Sequence, residues 1–356
     1  MAGKFAACLF SRQHVHFSGT ESWVKAAENA LDFLKCNNFG LLTSTGMHSW
    51  NILTTMGRDR GMKMKVVVAE NTHSTAAADS LFEQFDLEEQ TELCKIPQNR
   101  SHRLEMSIRD KAVIENADLI LPICIRPKGN FDSILKTLPS QKIDTRFSTP
   151  YVSAPNSHPR YTFTTKPWSD IEERYLYHWT RTSDTAWPTE RLLDYYRDII
   201  SSREYPRSAF HTLINILKCR TIISSARHMP SLSRCVCFTS SPPQKFTALM
   251  KWRKRYRQMS FEPYGIGVEK TTAYHSGVIP VTYFDSAIKP GGKEELWRYQ
   301  SRGTKGNWQI EQEYRCRGDF SLRGIPLNKL ICFCYTRDEA KEIERLFGIR
   351  SLYFTT

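Results

Sequence analysis

The chain has 356 residues, 40% of them hydrophobic and 12% aromatic, which is too long for one ordinary core and too apolar for a disordered protein. Its formal net charge of +13 points to polyanionic partners, either nucleic acid or anionic nucleotides. No apolar run approaches the length of a membrane span and residues 1–10 carry no secretory pattern, so we expect a cytoplasmic protein whose 10 cysteines are reduced thiols.

Residues 1–150 alternate strand-like and helix-like runs, the rhythm of a parallel α/β domain. Residues 5–10 read as a first strand. Residues 21–35 place Trp23, Ala27, Ala30, Leu31 and Leu34 at helical spacing. Gly40-Leu41-Leu42-Thr43-Ser44-Thr45-Gly46 reads as strand, turn and helix start, where small residues let backbone N–H groups approach a phosphate. Residues 64–69 are a second buried strand. Arg109-Asp110-Lys111 opens a helix to Asn116, and residues 117–125 form another strand. The basic turn Arg126-Pro127-Lys128-Gly129-Asn130 follows. In an open parallel sheet, ligands bind outside the carboxyl ends of the strands. We therefore expect Thr43, Ser44, Thr45, Gly46, Arg109, Arg126, Lys128 and Gly129 to line one ligand crevice, against the plainer reading of an α/β scaffold with basic loops.

Residues 151–171 are rich in Pro, Ser and Thr and read as a linker or an irregular wrapping segment. We place the second domain at 172–356. Residues 175–181 look like a strand, with His178 and Thr180 on one face. Residues 192–201 and 209–218 have helical spacing. Residues 235–242 run from a buried strand into a turn. Lys251, Arg253, Lys254, Arg255 and Arg257 alternate with Trp252 and Tyr256, a combination suited to phosphate contact and base stacking, or simply to a solvated amphipathic helix. Residues 264–268 and 278–284 are further strands. Residues 329–335 are a last buried strand, and 338–347 a closing helix. The two Cys-x-Cys pairs, Cys235/Cys237 and Cys332/Cys334, lie inside apolar strands and are read as buried thiols rather than a metal site.

The chemistry concentrates in Trp308-Gln309-Ile310-Glu311-Gln312-Glu313-Tyr314-Arg315. As a strand, this run points Glu311 and Glu313 into the same space. Two close carboxylates repel, so one holds its proton more tightly. Such a pair can stabilise a developing positive charge and handle a proton. The plainer reading is a solvated strand face with Arg315 as counter-charge.

The motifs resemble known families. The run Gly40–Gly46, the run Ile108-Arg109-Asp110-Lys111-Ala112-Val113-Ile114 followed by Ala117-Asp118, and the turn Arg126–Gly129 resemble the Rossmann-like SLOG superfamily of DNA-processing protein A and the lysine-decarboxylase-like LOG proteins. That resemblance implies binding of a nucleotide or single-stranded DNA at the turn. Thr43-Ser44-Thr45-Gly46 departs from the family's glycine-rich loop and no catalytic Glu of the LOG type is evident, so sensing is expected rather than catalysis. In the second domain the order His178-Trp-Thr-Arg181, Cys237-Phe-Thr-Ser240, Tyr264-Gly-Ile-Gly-Val268, Pro280-Val-Thr-Tyr283 and Glu311-Gln-Glu-Tyr-Arg315 is similar to AbiGi-type abortive-infection proteins and to ADP-ribosyltransferase folds. The second resemblance implies an α+β domain that takes NAD as substrate. It implies that His178 contacts the NAD ribose or nicotinamide, with Thr180, Arg181 and Tyr264 in the same binding motifs. It further implies that Thr239 or Ser240 supports the nicotinamide ribose, that Glu313 stabilises the oxocarbenium ion, and that Glu311 orients or deprotonates the acceptor. Together the two imply a bacterial anti-phage effector, a transferase or an NAD glycohydrolase gated by a sensor. The alternatives are a non-catalytic DNA-binding module and a SLOG-type phosphoribohydrolase. The partners expected are NAD or a related nucleotide, DNA or RNA, and no membrane; self-association is left open.

Overall fold

The computed structural model describes residues 3–355, apart from 71–73, 88–90, 98–101, 154–158, 165–167, 169–170, 172, 227–228, 230–232, 285–291, 293–294 and 303–307. It divides into two compact units. The first comprises Met1–Asn156 and Asp184–Pro206, the second Ser157–Ser183 and Arg207–Thr356.

The first unit is a parallel α/β domain. Its strands are β1 (Phe5–Phe10), β2 (Gly40–Ser44), β3 (Met64–Glu70), β4 (Thr91–Pro97) and β5 (Leu119–Cys124). They are interleaved with α1 (Ser22–Cys36), α2 (His48–Asp59), α3 (Ser74–Phe85), α4 (His102–Glu115) and α5 (Asn130–Leu135). The sheet order is β4-β3-β2-β1-β5, and every pairing is parallel. All residues of β1 and β2 are buried, as a central parallel strand covered on both faces requires. Strand order moves outward from β1 to β4 and then returns to the other side of β1, so the switch point lies between β1 and β5.

The expected domain limits need one change. Residues Asp184–Pro206, assigned in sequence to the second domain, belong to the first unit. The reason is α6 (Leu192–Ser201), whose Tyr195, Tyr196 and Ile199 join the first core. Two further differences concern helix starts and missed elements. Arg109 and Asp110 lie deep inside α4, not at its start. Elements α3 and β4 were not read from the sequence, since β4 mixes buried and exposed positions without clean alternation.

The second unit is built on β6 (Tyr175–Trp179), β7 (Thr221–Ile222), β8 (Cys235–Thr239), β9 (Trp252–Arg253), β10 (Gln258–Met259), β11 (Gly265–Glu269), β12 (Ile279–Pro280) and β13 (Thr282–Phe284). It continues with β14 (Tyr299–Ser301), β15 (Glu313–Arg317), β16 (Phe320–Ser321), β17 (Leu330–Cys334) and β18 (Ser351–Tyr353). Its helices are α7 (Ala209–Cys219), α8 (Pro243–Phe246), α9 (Lys270–His275) and α10 (Arg337–Phe347). Seven strands form one sheet in the order β12-β15-β8-β6-β11-β17-β18, antiparallel except at β17/β18. Alternate residues feed two cores. Leu176, Val236, Phe238, Ile266 and Cys332 pack on one face, and Tyr175, Tyr177, Trp179, Ile331 and Phe333 on the other. A Cβ on Gly265 would stand 2.6 Å from the His178 carbonyl oxygen, so the close approach of β11 to β6 requires glycine there. The closing helix α10 starts at a capping box, Thr336 with Glu339, and ends at Gly348 in the left-handed conformation.

The Pro/Ser/Thr-rich stretch is a wrapping segment in its described part. The Thr164 N–H donates to the Phe354 carbonyl, Trp168 packs on Phe333, and Ile171 is buried.

Candidate functional sites

The acidic run does not form the strand that the alternation predicts. Trp308–Glu311 is a single 3-10 turn, Gln312 has φ +44°, and the strand begins only at Glu313. The two carboxylates nevertheless interact. Burial and the nearby Glu313 charge push the Glu311 carboxyl up to about 7. The left-handed residue between them, not strand periodicity, sets their proximity. Hydrogen bonds hold this corner: Thr239 Oγ1 donates to the Glu311 carbonyl, and Ser240 Oγ donates to the Gln312 side chain at 2.9 Å. The Glu313 N–H donates to Tyr283 Oη at 3.0 Å. In the register of β15 and β8, Glu313 stands opposite Thr239.

Arg315 is 2% exposed and occupies both oxygens of Glu313, at 2.7 and 3.0 Å. The same guanidinium donates to the carbonyls of Trp297 and Tyr299 and to the Gln300 side chain. Glu313 is thus the anchored carboxylate and Glu311 the one with a proton to exchange. Proton handling stays with Glu311, as the resemblance implied, while Arg315 occupies both of the Glu313 oxygens that were expected to face the oxocarbenium ion.

His178 is not part of this corner. Tyr177 is in register with Thr239, which is in register with Glu313. His178 is one residue out of phase and faces the opposite side of the sheet, where its ring packs edge-on against Phe238. Its Nδ1 bonds the Cys237 carbonyl at 2.8 Å, and burial lowers its pKa. Thr180 and Tyr264 also stand apart. Thr180 lies three residues beyond Tyr177, roughly 10 Å along the strand direction. Its Oγ1 donates to the carbonyls of Ala209 and Tyr264, and the Tyr264 hydroxyl donates to Glu339. Arg181 follows directly on Thr180, just past the end of that strand.

Lys251 to Arg257 is a β-hairpin, not a helix: β9 pairs with β10 through a turn in which Arg257 has φ +51°. Lys251, Arg253, Lys254, Arg255 and Arg257 are all exposed, as is Tyr256. Arg253 acts electrostatically on Glu311, which brings the basic hairpin to the acidic corner.

In the first unit the carboxyl ends of β1, β2 and β5 converge. Thr43 and Ser44 are buried within β2 and satisfied internally, Thr43 Oγ1 by the Trp50 carbonyl and Ser44 Oγ by the Val67 carbonyl, so neither is a ligand group. Thr45 and Gly46 do form the turn, with Gly46 at φ +89°. Arg109, 7% exposed, donates to the Thr45 carbonyl at 2.8 Å and pairs with Asp110 at 2.7 Å. Asn130 Nδ2 lies 3.5 Å from the other Asp110 oxygen, and the Arg126 N–H donates to Ser11 Oγ at the end of β1. The Thr45–Gly46 and Arg126–Asn130 turns therefore line the same edge. Lys128 is exposed at φ +58°, and Gly129 packs under Arg126.

Residues at this edge that the sequence did not single out are Ser49 and Trp23. No side chain caps α2 at Met47. Ser49, in the first turn, is 2% exposed, yet its Oγ has no partner, and the Trp23 Nε1–H in the first turn of α1 is also unpartnered. Thr54 and Thr55, further along α2, bond back to the carbonyls four residues earlier. For Ser49 that carbonyl is Thr45, which is taken by Arg109. The signal available in the sequence was a hydroxyl three residues after the Gly46 turn.

No family model matches this sequence, and no curated protein or solved structure matches it either. Among the described residues, no helix is long and apolar enough to cross a membrane.

Proposed function

We propose that the chain is a two-unit effector that binds a nucleotide phosphate through its first unit and breaks the nicotinamide–ribose bond of NAD in its second. The observation that carries this reading is Glu311, a partly buried carboxyl held at about 7 beside a second, arginine-anchored carboxylate. Nicotinamide leaves as a neutral base and needs no proton. The C1′–N bond electrons pass to the pyridinium nitrogen, and an oxygen of water or of an acceptor hydroxyl forms the new bond to C1′. That oxygen loses a proton, and a base with a pKa near the working pH is suited to take it. Ionised Glu311 also supplies negative charge to the oxocarbenium-like state. Thr239, Ser240 and Tyr283 supply the neighbouring hydroxyls.

The resemblances to SLOG domains, abortive-infection proteins and ADP-ribosyltransferases support a Rossmann-like sensor joined to an ADP-ribosyltransferase-like effector in anti-phage defence. In the first unit the uncapped start of α2, with Arg109 at its turn, suits a phosphate. Incubating the purified protein with NAD labelled in both the nicotinamide and the adenylate, with and without DNA or RNA, tests the whole reading. Released nicotinamide, lost in Glu311→Gln, supports it, and the fate of the adenylate label separates transfer from hydrolysis. Absence of nicotinamide release under every condition removes the catalytic half. A second reading, a polyanion-binding module without catalysis, is favoured by the exposed basic hairpin and takes over in that case.

A further inference from the structure

The start of α2 holds a cluster that the sequence motifs leave unassigned. His48 is the first residue of the helix, and its Nδ1 lies 2.9 Å from Tyr196 Oη. Asn51 Nδ2 donates to the same Oη at 3.0 Å. Tyr196 is 2% exposed, so its phenolic proton needs an acceptor within the protein. With Asn51 occupying a lone pair, that acceptor is His48 Nδ1. An imidazole that accepts at Nδ1 carries its proton on Nε2. Among the described residues the Nε2–H has no partner. Burial lowers the His48 pKa, with Arg12 and His16 adding to the effect and Asp184 opposing it, so the ring is a neutral donor at pH 7.

The surroundings are short of partners in the same way. Ser49 Oγ, next in sequence, is buried and unpartnered, and so is Trp23 Nε1. Phe17 joins them, its ring centroid 5.0 Å from that of Trp23 and 5.7 Å from that of His48. A buried hydroxyl without a partner costs about 1–3 kcal/mol, a cost removed when a ligand supplies the bond. A phosphate oxygen can accept from the serine hydroxyl, from an imidazole N–H and from the free N–H groups of a helix start together.

We propose that His48 Nε2 and Ser49 Oγ are phosphate donors at the α2 start, and that Tyr196 is a positioning residue that fixes the His48 tautomer. The inference rests on the reading that the first unit binds a phosphate, and deepens it. The ligand class is a phosphate monoester of a small nucleotide, with Phe17 and Trp23 as the aromatic wall beside it.

Calorimetric titration of the full chain with inorganic phosphate, AMP and adenosine tests this. The wild type should bind AMP and phosphate but not adenosine. Tighter binding of AMP identifies a nucleotide as the ligand, and equal binding identifies phosphate alone. His48→Leu and Ser49→Ala should each weaken binding about three- to tenfold, the effect of one hydrogen bond. His48→Gln should retain most of the affinity, because the amide N–H stands in for Nε2–H. Tyr196→Phe should cost a similar factor, while long-range proton–nitrogen NMR of the imidazole shows the Nε2–H tautomer giving way to a mixture. If His48→Leu and Ser49→Ala bind phosphate like the wild type while Arg109→Ala does not, this cluster is not the site, although the unit still binds phosphate. If the wild type binds neither phosphate nor AMP, both the inference and the reading beneath it fail. An unchanged tautomer in Tyr196→Phe overturns the role given to Tyr196.

Discussion

Arg315 holds both oxygens of Glu313, and the guanidinium is almost entirely removed from solvent. A buried ion pair of this kind contributes little net stability while intact, but removal of one partner leaves the other charge uncompensated. Chemical denaturation should therefore find Arg315→Met destabilised by about 3–5 kcal/mol. The double variant Glu313→Leu with Arg315→Met should recover a large part of that loss. A single variant as stable as the wild type would mean that Glu313 is solvated and the anchored-carboxylate assignment is wrong.

Glu311 gives the clearest pH dependence. Its folded-state pKa is raised to about 7 from an ordinary value of 4.5, so the folded protein binds that proton more tightly than the unfolded chain. Its contribution to stability is full below about 4.5 and is lost as pH rises through about 7. Glu311→Gln does not titrate. Relative to it, the wild type should lose on the order of 2–3 kcal/mol between pH 4.5 and 8, readable from denaturation midpoints at a series of pH values. In the NAD assay the wild-type rate should rise as Glu311 ionises through neutral pH. A rate that is flat across pH 6–8 would remove Glu311 as the base.

Some of this was legible in the sequence. The strand Phe5–Phe10 is a continuous apolar run, and a run buried on both faces declares itself. The α10 helix announces its start through Thr336 and Glu339. The acidic corner was legible in composition but not in geometry. A left-handed Gln312 has no sequence signal, and it breaks the alternation on which the Glu311–Glu313 argument rested. His178 was misplaced because the order of motifs along a chain does not give strand register, and one residue of phase moves a side chain to the other face. Tyr196 was out of reach for a different reason. It lies 148 residues from His48, and nothing local ties them.

The basic hairpin makes a prediction independent of catalysis. Neutralising Lys251, Arg253, Lys254 and Arg255 removes four exposed cations that a single strand would meet along one hairpin. Each phosphate contact contributes about 0.7 to the slope of log K against log salt on single strands. The quadruple variant should therefore lower that slope by up to about three, with binding weakened most at low salt. An unchanged slope would return the hairpin to a solvated surface feature.

Arg109 and Asp110 link the proposed phosphate site to the stability of the first unit. Burial raises the Asp110 pKa, and Arg109, through its charge and hydrogen bonds, is the main influence pulling it back down. Replacing Arg109 with Met removes that compensation and frees the Thr45 carbonyl. Asp110 must then be protonated in the folded state or pay for a bare buried charge. At low pH, where the carboxyl is neutral in both proteins, the variant should be close to the wild type. As pH rises above the unfolded-state value of an aspartate, the unfolded chain ionises freely and the folded variant does not. The deficit should therefore widen through the acid range and level off only above the further-raised folded pKa. Asp110→Asn in the same background removes the titrating group and should flatten the profile, while leaving phosphate binding impaired because the guanidinium is still missing. Arg109→Lys should keep a charge but not the simultaneous bonds to Thr45 and Asp110, and so fall between the two. Urea denaturation from pH 3 to 8 on the three variants measures this, and a deficit that does not change with pH would show that Asp110 is not the group responsible.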